Sequence, residues 1–284
     1  MTVRTLRESP SLSRLFVKAA VTAKGRRGQL PELTVRREAV AIDRDNLLAY
    51  QHLCGFAGGD VLPHTYPHIL GFPLQMELMA DGAFPLALPG LVHLENTITV
   101  HRRLTADDVL DVAVRAEDLR AHPKGLLVDL VTEVDVVGER VWVGRSTYLR
   151  RGGGSTDAPR PAPPPELPDR PAAGVIRVPE GHGRAYAAVA GDVNPIHLHA
   201  FPARAMGFPR AIAHGMWTYA KALSTLGPVT EGPSTSHAWF GKPVLLPSTV
   251  ELVVDDQAVP AVVGLRSPKE SSRTHLTVTW RRPS

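Results

Sequence analysis

The sequence predicts an α+β fold built from two copies of one unit, each a buried helix followed by a run of antiparallel strands. Three observations carry this. Between residues 151 and 172 there are seven prolines after a run of three glycines, and no helix or central strand survives that composition. This linker separates residues 31–150 from residues 173–284 and leaves a basic segment, 1–30, in front. The two parts repeat one order: a short strand, a segment opening on tyrosine (Tyr50-Gln51-His52-Leu53 and Tyr186-Ala187-Ala188-Val189), an apolar helix, then strands. Finally, strand follows strand with no helix between, which argues against a parallel doubly wound sheet.

The apolar helix of the second part spans about 213–226, with Lys221 its single Lys, Arg, Asp or Glu. A helix apolar on most faces belongs in a core. Its counterpart spans about 67–80. Strands are predicted at 91–104, 109–116, 125–137 and 140–149, and again at 235–246, 249–255, 259–265 and 274–280. Alternation is clearest in Leu91–Ile98 and Thr274–Trp280. Neither half covers both sides of its sheet alone, so two sheets side by side would form one pseudo-dimer.

At 284 residues, 43% apolar and 21% charged, the chain reads as globular with ample core. The formal charge of +4 is a tail property: residues 1–30 hold Arg4, Arg7, Arg14, Lys18, Lys24, Arg26 and Arg27 against Glu8, so the rest is slightly acidic. With no basic-aromatic stripe and no zinc-finger spacing, no nucleic-acid partner is expected. No apolar run is long enough to cross a membrane. Segment 11–24 is mildly amphipathic and basic; packing on the body is the expectation, with a lipid or acidic-carrier contact as the alternative. The single cysteine, Cys54, rules out an internal disulfide framework, fits a reducing cytoplasmic setting, and reads as a small core residue.

The chemistry concentrates in residues 186–219. Asp192 and His197 are five apart with Pro195 between them, which is read as a structured loop rather than helix. Gly191 allows a sharp turn before the acid. A carboxylate and an imidazole held together in a mostly apolar site form an acid–base pair whose pKa values burial can tune. Seventeen residues after His197 come His214-Gly215-Met216, at the start of the apolar helix. Free N–H groups at a helix N-terminus favour negative charge, so a thioester carbonyl aimed there would be stabilised as an enolate oxygen. Gly215 presents no side chain to obstruct it.

The run Gly191-Asp192-Val193-Asn194-Pro195-Ile196-His197 after Tyr186, followed by His214-Gly215-Met216, resembles the signature of the MaoC-like, (R)-specific enoyl-CoA hydratase and (3R)-hydroxyacyl-thioester dehydratase family. The likeness is close in the second half and loose in the first. It implies a double hotdog, in which each half wraps a long helix in an antiparallel sheet, and 173–284 is the catalytic half. It further implies Asp192 and His197 as catalytic dyad, a backbone N–H near Gly215 as oxyanion donor, and Asn194 bracing the loop. The substrate would be an enoyl or hydroxyacyl thioester of CoA or an acyl-carrier protein, with no metal and no other cofactor. A monomeric double hotdog or a homodimer is expected.

Other residues are weighed alongside. Arg204 and Arg210 are candidates for a CoA or phosphopantetheine phosphate, equally surface ion pairs; Trp217 and Tyr219 read as core or pocket lining, His214 as a helix cap, His199 as solvent-facing. A zinc site from His197, His199 and His214 lacks the usual spacing. In the first half Gly59-Asp60-Val61-Leu62-Pro63-His64 echoes the motif but is one residue shorter and lacks the asparagine, so it reads as a vestige. The first half also has ten fewer residues between its tyrosine and His68 than separate Tyr186 from His214. It is therefore expected to bind the acyl chain beside a loosened helix. Two other functions stand beside the hydro-lyase: a hotdog thioester hydrolase and a non-catalytic acyl-binding subunit.

Overall fold

A computed structural model describes residues 2–21, 25–88 and 90–283. In chain order these form β1 (Thr2–Thr5), α1 (Leu12–Val21), β2 (Leu33–Val40), α2 (Arg44–Cys54), α3 (Tyr66–Met79), β3 (Leu91–Val100), β4 (Leu110–His122), β5 (Gly125–Val136) and β6 (Glu139–Arg151). The second half follows with β7 (Gly174–Val178), α4 (His182–Ala190), α5 (Pro195–Leu198), α6 (Ala200–Ala205), α7 (Gly215–Ser224), a 3-10 turn at Gly227–Glu231, β8 (Ser234–Phe240), β9 (Ser248–Asp255), β10 (Ala261–Arg266) and β11 (Thr274–Arg281). All eight long strands predicted from alternation are present, and none of the helices is long and apolar enough to cross a membrane among the described residues.

The chain divides into two compact units. The first comprises Met1–Ile42, Pro67–Asn96 and Asp107–Pro163; the second comprises Asp43–Tyr66, Thr97–Ala106 and Pro164–Ser284. The boundary therefore does not follow the linker alone, because α2 folds with the second unit. The repeat is visible in strand order. In the first unit, to which β3 belongs as far as Asn96, the order is β1-β2-β4-β5-β6-β3, and in the second, read from its own first strand, β7-β9-β10-β11-β8. Setting β1 aside, both place their own first, third, fourth, fifth and second strands in that succession. All neighbours in the second unit are antiparallel; β1 is an addition, pairing parallel with β2. Each unit is a hotdog.

The basic N-terminal segment is part of the first unit rather than a free tail. Leu15 and Ala19, one helical turn apart on α1, are both buried. Arg4 pairs with Glu77 and Asp81. Arg26 donates to the carbonyl of Met79 at 2.7 Å, satisfying an acceptor that the C-terminus of α3 leaves open. Lys24 and the end of segment 11–24 lie outside the described residues.

Within the first unit, α3 buries Leu74, Met76, Leu78 and Met79. Gln75 Nε2 donates to Thr132 Oγ1 at 2.9 Å, and Tyr148 donates to Gln75 Oε1 at 3.3 Å. The expected loosening of this helix is not seen. α3 has 14 residues against 10 in α7. The shortening falls instead on the connection from α2 to α3, where the second half inserts α5 and α6.

The vestigial motif is taken apart in the structure. Asp60 is exposed and pairs with Arg44. His64 is buried, with Ser236 Oγ 2.6 Å from its Nε2 and Ser234 Oγ 3.3 Å from its Nδ1. Burial pushes His64 down to about 3, and His68 on α3 down to about 4. Both stay neutral when folded but titrate near the ordinary 6.5 when unfolded. The unfolded chain therefore binds more protons as pH falls from about 6.5 toward 4, and stability is lost across that window. Near pH 5 the loss is about 2 kcal/mol for each of these histidines. Thermal unfolding at pH 7.5 and 5 checks this, with His64→Gln flattening the slope; an unfolding midpoint indifferent to pH would count against it.

Candidate active site

The segment that carries the site is shaped by successive caps. Gly191 ends α4 with φ 75, a left-handed turn that a side chain would strain, and swings the chain into Asp192. Asp192 Oδ1 then accepts from Asn194 N at 3.1 Å, closing an Asx turn. Asn194 in turn caps α5, its Oδ1 facing Ile196 N at 3.4 Å, with Pro195 in the first helical turn. The reading of Pro195 as excluding helix is thus corrected. Proline is tolerated at the first helical position because the missing N–H has no partner there anyway, and Pro195 starts the short helix that buries His197.

His197 Nδ1 lies 2.9 Å from the carbonyl oxygen of Ile212. A carbonyl only accepts, so Nδ1 carries the proton and Nε2 keeps a free lone pair. By the same argument His214 Nε2–H donates to the Asp192 carbonyl at 3.0 Å. The His197 and His214 rings stack with centroids 3.8 Å apart and planes at 27°, and Tyr186 lies 4.9 Å beyond His214. His214 Nε2 is also 3.8 Å from Asp192 Oδ2, whose side chain is 24% exposed. His214 occupies the N-cap of α7 without capping it. Its side chain instead braces Asp192 and His197, as a supporting residue, by the hydrogen bond to the one and the stacking on the other.

Electrostatics follow from burial. Desolvation raises the Asp192 carboxyl, against the pull of His197 and of the Asn194 N–H. Desolvation lowers His197, against the opposing effects of Asp192 and the Ile212 carbonyl. His214 is held well below the usual histidine range by burial and then by its neighbour His197. Around neutral pH the two imidazoles are therefore neutral, beside a carboxyl whose hold on its proton is strengthened by burial.

The start of α7 supplies the third component. Its first helical bond runs from Thr218 N to His214 O at 3.2 Å, so the N–H groups of Gly215 and Met216 have no intrahelical acceptor. At Gly215 a Cβ would meet the Phe240 ring at 3.0 Å, a tight contact that would ask the ring to give by a few tenths of an ångström. Gly183, in the first turn of α4, went unnoticed in the sequence. A Cβ at that position would overlap the His197 carbonyl oxygen, so the backbone of α5 rests directly on α4.

The remaining candidates separate. His199 is exposed, as expected. Trp217 is buried and donates Nε1–H to the Leu53 carbonyl at 3.3 Å, with the His182 ring 4.0 Å away. Tyr219 is fully buried and bonds Ser236, and Met216 is buried. Arg204 and Arg210 are exposed, and Arg204 Nε donates to the Pro209 carbonyl at 3.2 Å; neither is hydrogen-bonded to the dyad. Cys54 is buried, its thiol pushed up to about 12 by desolvation. By donor type Asp192, His197 and His214 could hold a cation, with donor atoms within 4.8 Å of one another. His197 Nδ1 and His214 Nε2 already face carbonyl oxygens.

A helix wrapped by an antiparallel sheet, with a carboxylate and a neutral imidazole on the same segment as an open helix N-terminus, defines the hotdog dehydratase class. The chain belongs to the MaoC-like dehydratases, its MaoC-like domain matching residues 163–272. It is 41% identical over 258 residues to 3-hydroxyacyl-thioester dehydratase X of Mycobacterium tuberculosis, an alignment covering 90% of this chain and 91% of that one. The crystal structure of HtdX from the same organism superposes with a TM-score of 0.78 at 38% identity, over 88% of this chain and 100% of that one. A MaoC-like dehydratase from Phytophthora capsici shares the fold, with a TM-score of 0.71 at 17% identity, over 89% and 96% of the two chains.

Proposed function

We propose that the protein is a hydro-lyase interconverting trans-2-enoyl and (3R)-hydroxyacyl thioesters in fatty-acid metabolism. The observation that carries this is the His197 tautomer: Nδ1–H is committed to Ile212, so Nε2 is left as a neutral base. In dehydration His197 Nε2 takes the α-proton. Negative charge then develops on the thioester oxygen, where the N–H groups of Gly215 and Met216 receive it. The β-hydroxyl departs as water, taking the proton that His197 has just received, relayed through Asp192 or a water that Asp192 holds, so the site returns to its starting state. In hydration the steps reverse: the dyad activates water for attack at the β-carbon, and the α-carbon is protonated. The thioester itself is the electron sink, so this chemistry calls for no metal or redox cofactor.

In this reading His214 fixes the Asp192 backbone and the plane of the His197 ring, and Asn194 and Gly191 set the loop. The N-terminal half, which carries no second dyad, serves the acyl chain. A cytoplasmic setting fits the lone reduced thiol, and one chain already holds both hotdogs, so a monomer or a homodimer would be complete.

The test is ultraviolet loss of the enoyl-thioester band on crotonyl-CoA and on a longer trans-2-enoyl-CoA, with chiral analysis of the product. Formation of the (3R)-hydroxyacyl thioester supports the reading. Release of free thiol would reassign the site to thioester hydrolysis, and inertness on every chain length would point to acyl binding alone.

A further inference from the structure

Beyond α5 the chain turns outward through α6 and the loop to Arg210. Phe201 is 83% exposed and Met206 41% exposed. Phe201 and Arg204 lie three apart on α6 and share a face. Arg184 joins them, its Nη1 donating to the Leu198 carbonyl at 3.1 Å, and Arg210 follows directly on Pro209, whose carbonyl binds Arg204. Among the described residues none of these three arginines pairs with a carboxylate, and the sequence from Val193 to Thr230 contains no Asp or Glu. An isolated exposed apolar residue needs no explanation. Phe201, Met206 and the arginines are residue types enriched where proteins meet.

We propose that this basic, apolar surface docks an acidic carrier protein that presents the acyl group on a phosphopantetheine thioester. The inference rests on the dehydratase reading above and names its partner. Charge complementarity selects an acidic partner. The protrusion selects a protein over a free nucleotide, because small ligands are held in concave sites, whereas an aromatic this exposed is covered only by a surface that closes over it. Placement is also suitable. Phe201 follows His197 by four residues, so their Cα atoms are no more than about 14 Å apart. A carrier seated on α6 would have its thioester arm beginning close to the dyad.

The test compares one acyl group on two carriers: crotonyl-CoA, and a crotonylated acyl carrier protein. Phe201→Ala, Met206→Ala and the double variant are expected to lower kcat/KM for the protein-borne thioester at least about tenfold. The CoA thioester should remain within about twofold of wild type. Arg204→Glu is expected to penalise the carrier-borne substrate more than the CoA one, and added salt to narrow that gap. The proposal is overturned if the wild type refuses the carrier-borne thioester while accepting crotonyl-CoA, or if the Phe201 and Met206 variants leave both substrates unchanged or depress both equally. Wild-type inactivity on both substrates would instead overturn the dehydratase reading beneath it.

Discussion

Asp192→Asn and His197→Ala are each expected to reduce kcat on a trans-2-enoyl thioester by about two to four orders of magnitude; Asp192→Asn should leave the unfolding midpoint nearly unchanged, while His197→Ala lowers it by emptying a buried site and unpairing the Ile212 carbonyl. The asparagine is a close test because its side-chain oxygen can still accept from Asn194 N, as Asp192 Oδ1 does at 3.1 Å. What it removes is the charge. His197→Ala removes the free Nε2 base. The double variant should be little worse than either single, since groups that act as one unit do not add. The pH profile gives a second reading. Burial lowers His197 and Asp192 partly restores it, so the acid limb of kcat/KM for the wild type lies below the ordinary histidine value. In Asp192→Asn that support is gone and the limb of the residual activity moves to still lower pH. Variants as active as wild type, or an acid limb that moves upward, would show that the dyad does not drive the reaction.

Gly183→Ala is expected to damage both stability and turnover, although Gly183 touches no substrate. Its new Cβ would overlap the carbonyl oxygen of His197, which is backbone and has no rotamer through which to escape. Forcing α4 and α5 apart should cost about 1–3 kcal/mol. Displacing a catalytic group by about an ångström commonly costs a further hundredfold in rate. Gly181→Ala is the control. It lies at the same end of α4 with φ −74, and its Cβ would meet only the end of the Arg184 side chain, at 3.5 Å. Equal activity in the two variants would show that α5 is not held by this contact.

The architecture was legible because hotdog strands alternate and hotdog helices do not. Thr274–Trp280 and Leu91–Ile98 show period two, and the helix after His214 is apolar on nearly every face. The placing of Asp192 and His197 on one tightly turned segment was legible because Gly191, Asn194 and Pro195 are turn and cap residues that admit few backbone paths. Less visible were features that depend on what arrives from elsewhere in the chain. Nothing near His214 shows that its ring stacks on His197 rather than capping α7. Gly183 looks like any glycine at a helix start until the carbonyl it accommodates is in place. Pro195 reads as a helix breaker in the sequence because its position within the helix, which decides whether proline is harmful, is fixed only by Asn194 acting as the cap. The boundary of the second unit was hidden for the same reason: α2 precedes the linker in sequence but not in packing.

That last feature decides how the chain can be taken apart. Asn46 donates to the Val189 carbonyl at 2.9 Å, Leu53 accepts from the Trp217 indole, and the Tyr50 ring lies 6.3 Å from that of Tyr186. A gene trimmed to its second half would encode the dyad and its whole sheet. It would lack the helix on which α4 and α7 rest, so a cut at the linker would split a packed unit instead of parting two.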